Sequence, residues 1–251
     1  MASETVLVTG VSQGIGRAIA ARLAESGYGV LGVDRGAPPD GLLAFEQVDI
    51  TDAPAARAAI GRLVEAHAPT RLVNNVGSSL RPNIADGDGS TQRWLNRLNL
   101  GSVMLCVQAA LPAMKAAGFG RIVNITSRAV YGRETRSAYA ATKSALAAMT
   151  RAWAVEFARH GITVNAVGPG MIDTELFRKN NPDGSPDVDR LKQGVPARRL
   201  GKPEEIAHAV DFFLDARSGY VTGQSLFVCG GLSLGAQPST VFDNARAGAV
   251  A

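Results

Sequence analysis

The chain has 251 residues, enough for one large domain or two small ones, and is 46% hydrophobic and 19% charged, which suits a globular protein with a sizeable core. Its formal charge is +4, but Lys and Arg are spread along the chain without a block or aromatic interleaving, which argues against nucleic-acid binding. No apolar run is read as reaching the length of a membrane span, the opening MASETVLVTG lacks the basic and apolar regions of a signal peptide, and Cys106 and Cys229 lie in apolar contexts that read as reduced and buried, so a cytoplasmic setting is expected.

In chain order, residues 5–9 (TVLVT) are a β-branched apolar run readable as a buried strand. TGVSQGIG follows, with Gly10, Gly14 and Gly16 spaced G-x-x-x-G-x-G, and then the amphipathic helical pattern RAIAARLAES up to Gly27. Strand, glycine turn and helix make half of a dinucleotide-binding unit. The glycines allow a tight turn and close backbone approach, and the helix N-terminus faces a pyrophosphate. Ser12 offers a phosphate its hydroxyl. The next strand pattern, YGVLGVD, ends at Asp34, about 20 residues beyond the glycines, where a carboxylate can accept from the adenosine ribose hydroxyls. It would repel the extra phosphate of NADP, while Arg35 argues the reverse. The plain alternative for Asp34 is a turn former before APPDG.

LLAFEQVDI leads to Asp49 and Ile50, and TDAPAARAAIGRLVEAH reads as a helix capped by Thr51 or Asp52. RLVNNVG is a strand that breaks at Asn74, Asn75 and Gly77, and residues 78–90 are polar loop. The long helical pattern TQRWLNRLNLGSVMLCVQAALPAMKAAG carries Pro112, where a kink or local disruption is expected. GRIVNIT delivers Ser127 at a strand end, and SAYAATKSALAAMTRAWAVEFARH is a long helix stopped by Gly161. ITVNAVGPG is a strand broken by Pro169, and residues 171–199 form an irregular insertion with short helical pieces around the turn chemistry of NPDGSP. KPEEIAHAVDFFLDA opens with Pro203 and with Glu204 and Glu205 in its first turn, as the helix dipole favours. QSLFVCGG is a last short strand, and 236–251 is a tail of small and polar residues.

Strands alternate with helices and no linker divides the chain. The expectation is one α/β domain over 1–251: a Rossmann-like, doubly wound parallel sheet of about seven strands, with helices on both faces and ligands at the strands' C-terminal ends. Asp34, Asn74, Ser127 and Gly168 each follow a strand and would gather on that edge. His67, His160 and His208 are scattered without metal-ligand spacing, so no metal is expected.

The chemistry concentrates in ITSRAVYGRETRSAYAATK. On a helix, Tyr139 and Lys143 lie one turn apart on one face. A free tyrosine has a pKa of about 10 and transfers protons poorly at neutral pH. An ammonium one turn away favours the phenolate and brings that value toward the operating range. Ser127 is a hydroxyl that could bind the same substrate oxygen.

Taken together, TGVSQGIG, the DI of Asp49 and Ile50, NNVG, Asn99 in the long helix, ITS, YAATK, GPGMIDT, RRLGKPEEIA, VTGQ and the final GG resemble the short-chain dehydrogenase/reductase family in its single-domain form. The resemblance covers residues 5 to about 235. It implies that Tyr139 is general acid or base, that Lys143 holds the nicotinamide ribose and lowers the tyrosine pKa, and that Ser127 orients the substrate oxygen. Asn99 would help hold a water that links Lys143 to solvent. Ile172 and Thr174 would contact the nicotinamide carboxamide, and Asp49 and Ile50 would flank the adenine. Gly10, Ser12, Gly14, Ile15, Gly16, Asp34, Arg35, Asn75, Val76, Gly77, Pro169 and Gly170 would line the cofactor, NAD being expected and NADP possible.

Three departures stand out. NNVG replaces the commoner NNAG. The serine precedes the tyrosine by one residue fewer than in many members, which leaves Thr126 as a fallback for the catalytic hydroxyl. Cys229 stands where many relatives have an aspartate. Substrate contacts are expected from 78–90, 128–136 and 175–199, with Arg128, Arg133 and Arg136 read chiefly as a solvated rim. The implied function is an NAD(H)-dependent alcohol dehydrogenase or ketone reductase. A 3-oxoacyl-thioester reductase is the alternative within the enzymes, and a dinucleotide-sensing regulator the alternative of another class. The resemblance and the apolar circumference of the helices at 91–118 and 137–160 point to a homotetramer. Residues 174–199 are expected to form a mobile substrate lid.

Overall fold

Short aliphatic and β-branched runs pair into one parallel sheet. The computed structural model describes residues 4–80, 89–132, 134–181 and 186–235. Its strands are β1 (Thr5–Thr9), β2 (Gly29–Asp34), β3 (Ala44–Gln47), β4 (Arg71–Asn74), β5 (Gly120–Ile125), β6 (Ile162–Pro169) and β7 (Ser225–Val228), in the order β3-β2-β1-β4-β5-β6-β7. Every pairing is parallel. The order reverses between β1 and β4, which opens a crevice at their C-terminal ends, the usual ligand seat of such sheets.

The connecting helices are α1 (Gly14–Glu25), α2 (Ala53–His67), α3 (Ser90–Asn96), α4 (Ser102–Ala117), α5 (Ser137–Phe157), α6 (Glu175–Asn180), α7 (Pro186–Gln193) and α8 (Pro203–Leu214). Successive strand side chains point to opposite faces. Leu7, Leu31, Leu72, Ile122 and Val164 therefore pack one way, with Ile60 of α2, Met114 of α4 and Leu146 of α5. Val6, Val8, Val30, Val73 and Val123 pack the other way, with Ile19 and Leu23 of α1 and Ile206 and Val210 of α8. A sheet buried on both faces explains why its strands read as continuous apolar runs rather than alternating ones.

Helix ends follow local chemistry. Asp52 caps α2 by accepting from the Ala55 N–H at 3.2 Å, which settles the choice between Thr51 and Asp52. Pro203 opens α8, and Glu205 reaches back to the Lys202 N–H at 2.7 Å.

Two expectations are corrected. The helix is not broken at Pro112, which lies inside α4. The carbonyl that loses its partner there belongs to Gln108 on the exposed side of the helix, where water can take it. The irregularity lies earlier, in a π-helical turn over Arg97–Gly101 between α3 and α4. Likewise, 90–117 is long and apolar enough by length and composition to cross a membrane. Its α4 portion instead lies against β4, β5 and α2, with Val103, Cys106, Val107, Ala110 and Met114 buried, as a core helix does. The lid expected over 174–199 becomes α6 and α7 in part, and residues 182–185 at its centre lie outside the described residues. So does the tail 236–251.

Gly161 closes the turn after α5 at φ +70°, and a Cβ there would stand 2.2 Å from the Gly118 carbonyl oxygen. Gly161→Ala should therefore destabilise the chain by at least about 2 kcal/mol, the scale of a strained φ compounded by a backbone clash. Urea unfolding checks this, and an unchanged midpoint would contradict the account.

Candidate active site

The strand ends after β1 and β4 are tied together by side chains. Thr9 Oγ1 accepts from the Asn75 and Val76 N–H groups, both at 3.1 Å. The Asn75 amide donates to the carbonyls of Thr9 at 3.0 Å and Gly10 at 3.1 Å. This holds the glycine turn against the end of β4. The turn admits no larger residue at its crossing: a Cβ on Gly16 would stand 1.8 Å from the Gly10 oxygen. Asn75, expected along the cofactor, thus spends its side-chain donors on the turn. Val76 and Ile15 are half-buried against the two cores, and Gly77 lies exposed at the mouth of the crevice.

Asp34 ends β2 facing the turn. Its two oxygens accept from the Ser12 and Gly36 N–H groups, each at 2.9 Å. Ser12 Oγ is buried and has no partner among the described residues. A buried hydroxyl without a partner beside a fixed carboxylate, at a turn too tight for a Cβ, fits a nucleotide that brings its own donors and acceptors. Arg35 is exposed. Its charge helps lower the Asp49 carboxyl, which is held below the usual range first by the Thr51 hydroxyl and the Thr51 N–H. Ile50 is buried in the core beneath the same edge, 7% exposed.

The candidate catalytic residues lie across the crevice. Lys143 is buried on α5, and its Nζ donates to the Ile125 carbonyl at 2.7 Å. That nitrogen is 6.0 Å from the Tyr139 ring centre. Burial pushes the Lys143 ammonium down to about 8. A Cβ added to Gly77 would meet Lys143 Nζ and Asn99 Oδ1, both at 3.2 Å, so these groups converge on one spot. Asn99 lies in the π turn and is wholly buried. Its amide clamps both sides of the Ser78 peptide, at 3.0 and 3.1 Å, and donates to Thr142 Oγ1 at 2.9 Å.

Ser127 follows β5 and is half-buried, its Oγ accepting from the Ala129 N–H at 3.1 Å. That hydroxyl keeps its proton to give. Thr126 is buried, and its hydroxyl donates to the Val167 carbonyl of β6 at 3.1 Å. The geometry thus selects Ser127 over Thr126 as the available hydroxyl.

The fourth side is the stretch after β6. Pro169 ends that strand, and Gly170 packs so closely that a Cβ would stand 2.7 Å from Cys229 Cα. This gives Cys229 a packing role, its Sγ lying 3.2 Å from Ser233 Oγ. Ile172 is buried in a bridge to Gly201. Thr174 caps α6, its Oγ1 accepting from the Phe177 N–H at 3.1 Å, and faces Gly14.

Among the basic residues of 128–136, Arg136 is no idle rim residue, since it donates to the Ser79 carbonyl at 3.1 Å and ties down the loop after β4. Arg128 has its Nε buried, and Arg133 lies outside the described residues. Sequence reasoning missed Thr9, Thr142 and Glu175. Thr9 and Thr142 sit inside motifs whose signal is carried by their neighbours. Glu175 acts across the fold, 161 residues from Gly14.

A family model described as enoyl-(acyl carrier protein) reductase matches residues 10–233. The chain is 35% identical to the 3-oxoacyl-(acyl-carrier-protein) reductase FabG of Aggregatibacter actinomycetemcomitans, over 92% of this chain and 99% of that one. Among solved structures it is similar to the ligand-free aldohexose dehydrogenase of Thermoplasma acidophilum, with a TM-score of 0.88 and 31% identity over 95% of this chain and 97% of that one. It is also similar to a gluconate 5-dehydrogenase of Burkholderia cenocepacia in complex with NADP and tartrate, with a TM-score of 0.85 and 32% identity over 94% and 97%.

The buried lysine gives a pH signature. Below pH 8 the folded chain must bury a charge, and above it the folded chain sheds a proton that the unfolded chain keeps up to 10.5. The unfolded state then binds more protons, so this group's contribution to stability rises with pH across that window. Urea unfolding between roughly pH 7.5 and 9.5 should show the wild type gaining on Lys143→Met. A constant gap between the two would contradict the buried charge.

Proposed function

Since the chain belongs to the short-chain dehydrogenase/reductase family, whose members here are oxidoreductases working with a nicotinamide dinucleotide, we propose that it moves a hydride between NAD(H) and a secondary alcohol or ketone. The observation that carries this reading is the meeting of Lys143 and Asn99 at Gly77, with Tyr139 one turn before Lys143 on α5 and Ser127 two residues beyond the Ile125 carbonyl that holds the lysine. The nicotinamide supplies or accepts the hydride when bound. The chain's residues do the rest. The Ser127 hydroxyl donates to the substrate oxygen and polarises it. Tyr139 gives that oxygen a proton in reduction and takes it back in oxidation. A Lys143 ammonium beside the tyrosine favours the phenolate, and the Ile125 carbonyl keeps the lysine in place. Asn99 fixes the Ser78 peptide and α5 relative to one another, so the proton donor and the cofactor-side wall keep their spacing.

Pro169, Gly170, Ile172 and Thr174 form the wall for the nicotinamide end, and Asp49 and Ile50 the rim for the adenine. NAD is the form that Asp34 favours. Asp34 fixes a negative charge at the end of β2, and the charge of Arg35 is already opposed by Asp49. NADP is the form that the relatives favour, since several of them are solved with NADP or NADPH, and Arg35 supports it. A 3-oxoacyl-thioester substrate is the second reading for the other half of the reaction, supported by the FabG relative.

Tyr139→Phe keeps the ring and removes the proton, so turnover should fall by more than about 10²-fold with cofactor affinity little changed. A substrate screen followed by NADH absorbance checks both, and near-normal rates in the variant would remove Tyr139 from the proton path. In the same assay kcat/KM should be higher with NAD, and Asp34→Ala should shift the ratio toward NADP. A wild-type preference for NADP would overturn the Asp34 argument.

We also infer a homotetramer. Met104 on α4 and Val155 on α5 are 46% and 82% exposed, apolar surface that the fold itself does not cover. A monomeric mass by light scattering at micromolar concentration would sink this reading. Both cysteines are free thiols, which supports a reducing compartment.

A further inference from the structure

Glu175 is the first residue of α6, and its carboxylate reaches across the crevice to α1. One oxygen accepts from the Gly14 N–H at 3.1 Å. The other pairs with the Arg17 guanidinium. Gly14 to Arg17 is the first turn of α1, and the N-cap residue Gln13 gives that turn no side-chain bond. Unpaired N–H groups at a helix start carry partial positive charge and attract anions. Here the anion is the chain's own carboxylate. It is presented from a braced turn: Thr174 caps α6, and Asp173 takes both arms of Arg178 at 2.8 and 2.9 Å. The Glu175 carboxyl is held below its usual range first by its own backbone N–H, and also by the Arg17 charge and the Gly14 N–H. It is therefore an anion throughout the neutral range.

We propose that Glu175 is an internal competitor for the pyrophosphate of the dinucleotide. In the ligand-free chain it fills the anion seat of α1, and the cofactor has to displace it. The inference rests on the dinucleotide reading above. Two anions cannot share that amide and guanidinium without strong repulsion. Binding then hands Arg17 from the carboxylate to the phosphates and frees the start of α6 from α1 in the same step. Cofactor occupancy is thereby felt at the first residue after Thr174, on the side where substrate contacts are expected.

The Arg17 and Glu175 side chains are 54% and 45% exposed, so solvent weakens their attraction. Removing the competitor should tighten binding modestly, by about threefold to tenfold. The test is titration calorimetry of ADP-ribose, which carries the pyrophosphate without the nicotinamide. It compares the wild type with Glu175→Gln and Glu175→Ala, and with Glu65→Gln on α2 as a control for net charge. Both Glu175 variants should bind more tightly, the Glu65 variant should match the wild type, and the gain should shrink at about 0.5 M salt. Equal or weaker binding in the Glu175 variants overturns the proposal, as does an equal gain in the control. Failure of all four proteins to bind ADP-ribose, NADH and NADPH would bring down the dinucleotide reading, and this inference with it.

Discussion

Asn75 stands where two strand ends and the glycine turn meet, and its amide holds all three. A parallel sheet covered on both faces leaves its C-terminal edge as the place where backbone groups can reach a ligand. That edge must still satisfy its own peptide groups, because an unpaired buried amide or carbonyl costs as much as a lost hydrogen bond. Thr9 and Asn75 meet this requirement for β1, β4 and the turn together. They leave the first amides of α1 free to face an anion. Gly16 can cross so close to Gly10 only because neither carries a side chain. The rest of the crevice depends on this junction, since Asp34, Ser78 and α5 are all positioned relative to it.

The charges around the crevice have different standing. Lys143 is wholly enclosed, and its ammonium rests on the Ile125 carbonyl. Its burial makes the charged form costly, which is a reason for proton traffic nearby rather than a source of stability. Arg17 and Glu175 are half in water and can exchange partners at little cost. Asp34 lies between these cases, fixed by two backbone N–H groups that also shape the loop it faces.

Much of this was legible in the sequence. The alternation of apolar strands with amphipathic helices set the sheet and its layers, because burial on both faces leaves a plain apolar run. The glycine spacing, Asp34, Ser127 and the Tyr139–Lys143 pair marked the edge, because their chemistry depends on local order along the chain. What was not legible depends on contacts between distant segments. Asn75 carried a motif signal, but its actual partners lie on β1, more than sixty residues away. Pro112 was expected to kink or locally disrupt its helix, yet the helix runs on through it and the irregular turn sits at Arg97–Gly101, where no proline or glycine pair announces it. The choice between Ser127 and Thr126 required knowing that β6 lies alongside β5 and takes the Thr126 proton.

The π turn at Arg97–Gly101 has a consequence for how this chain can change by descent. Such a turn is an α-helix with one residue too many, and the wider turn absorbs that residue so that the helix on either side keeps its phase. Loss of a single codon there would restore a regular helix, leave α4 in register with its buried stripe, and re-aim the residues of the turn itself, Asn99 with its bonds to Ser78 and Thr142 among them. A deletion in this turn spares the core and falls on the Asn99 contacts. Length at this place should therefore be far less free to drift than sequence.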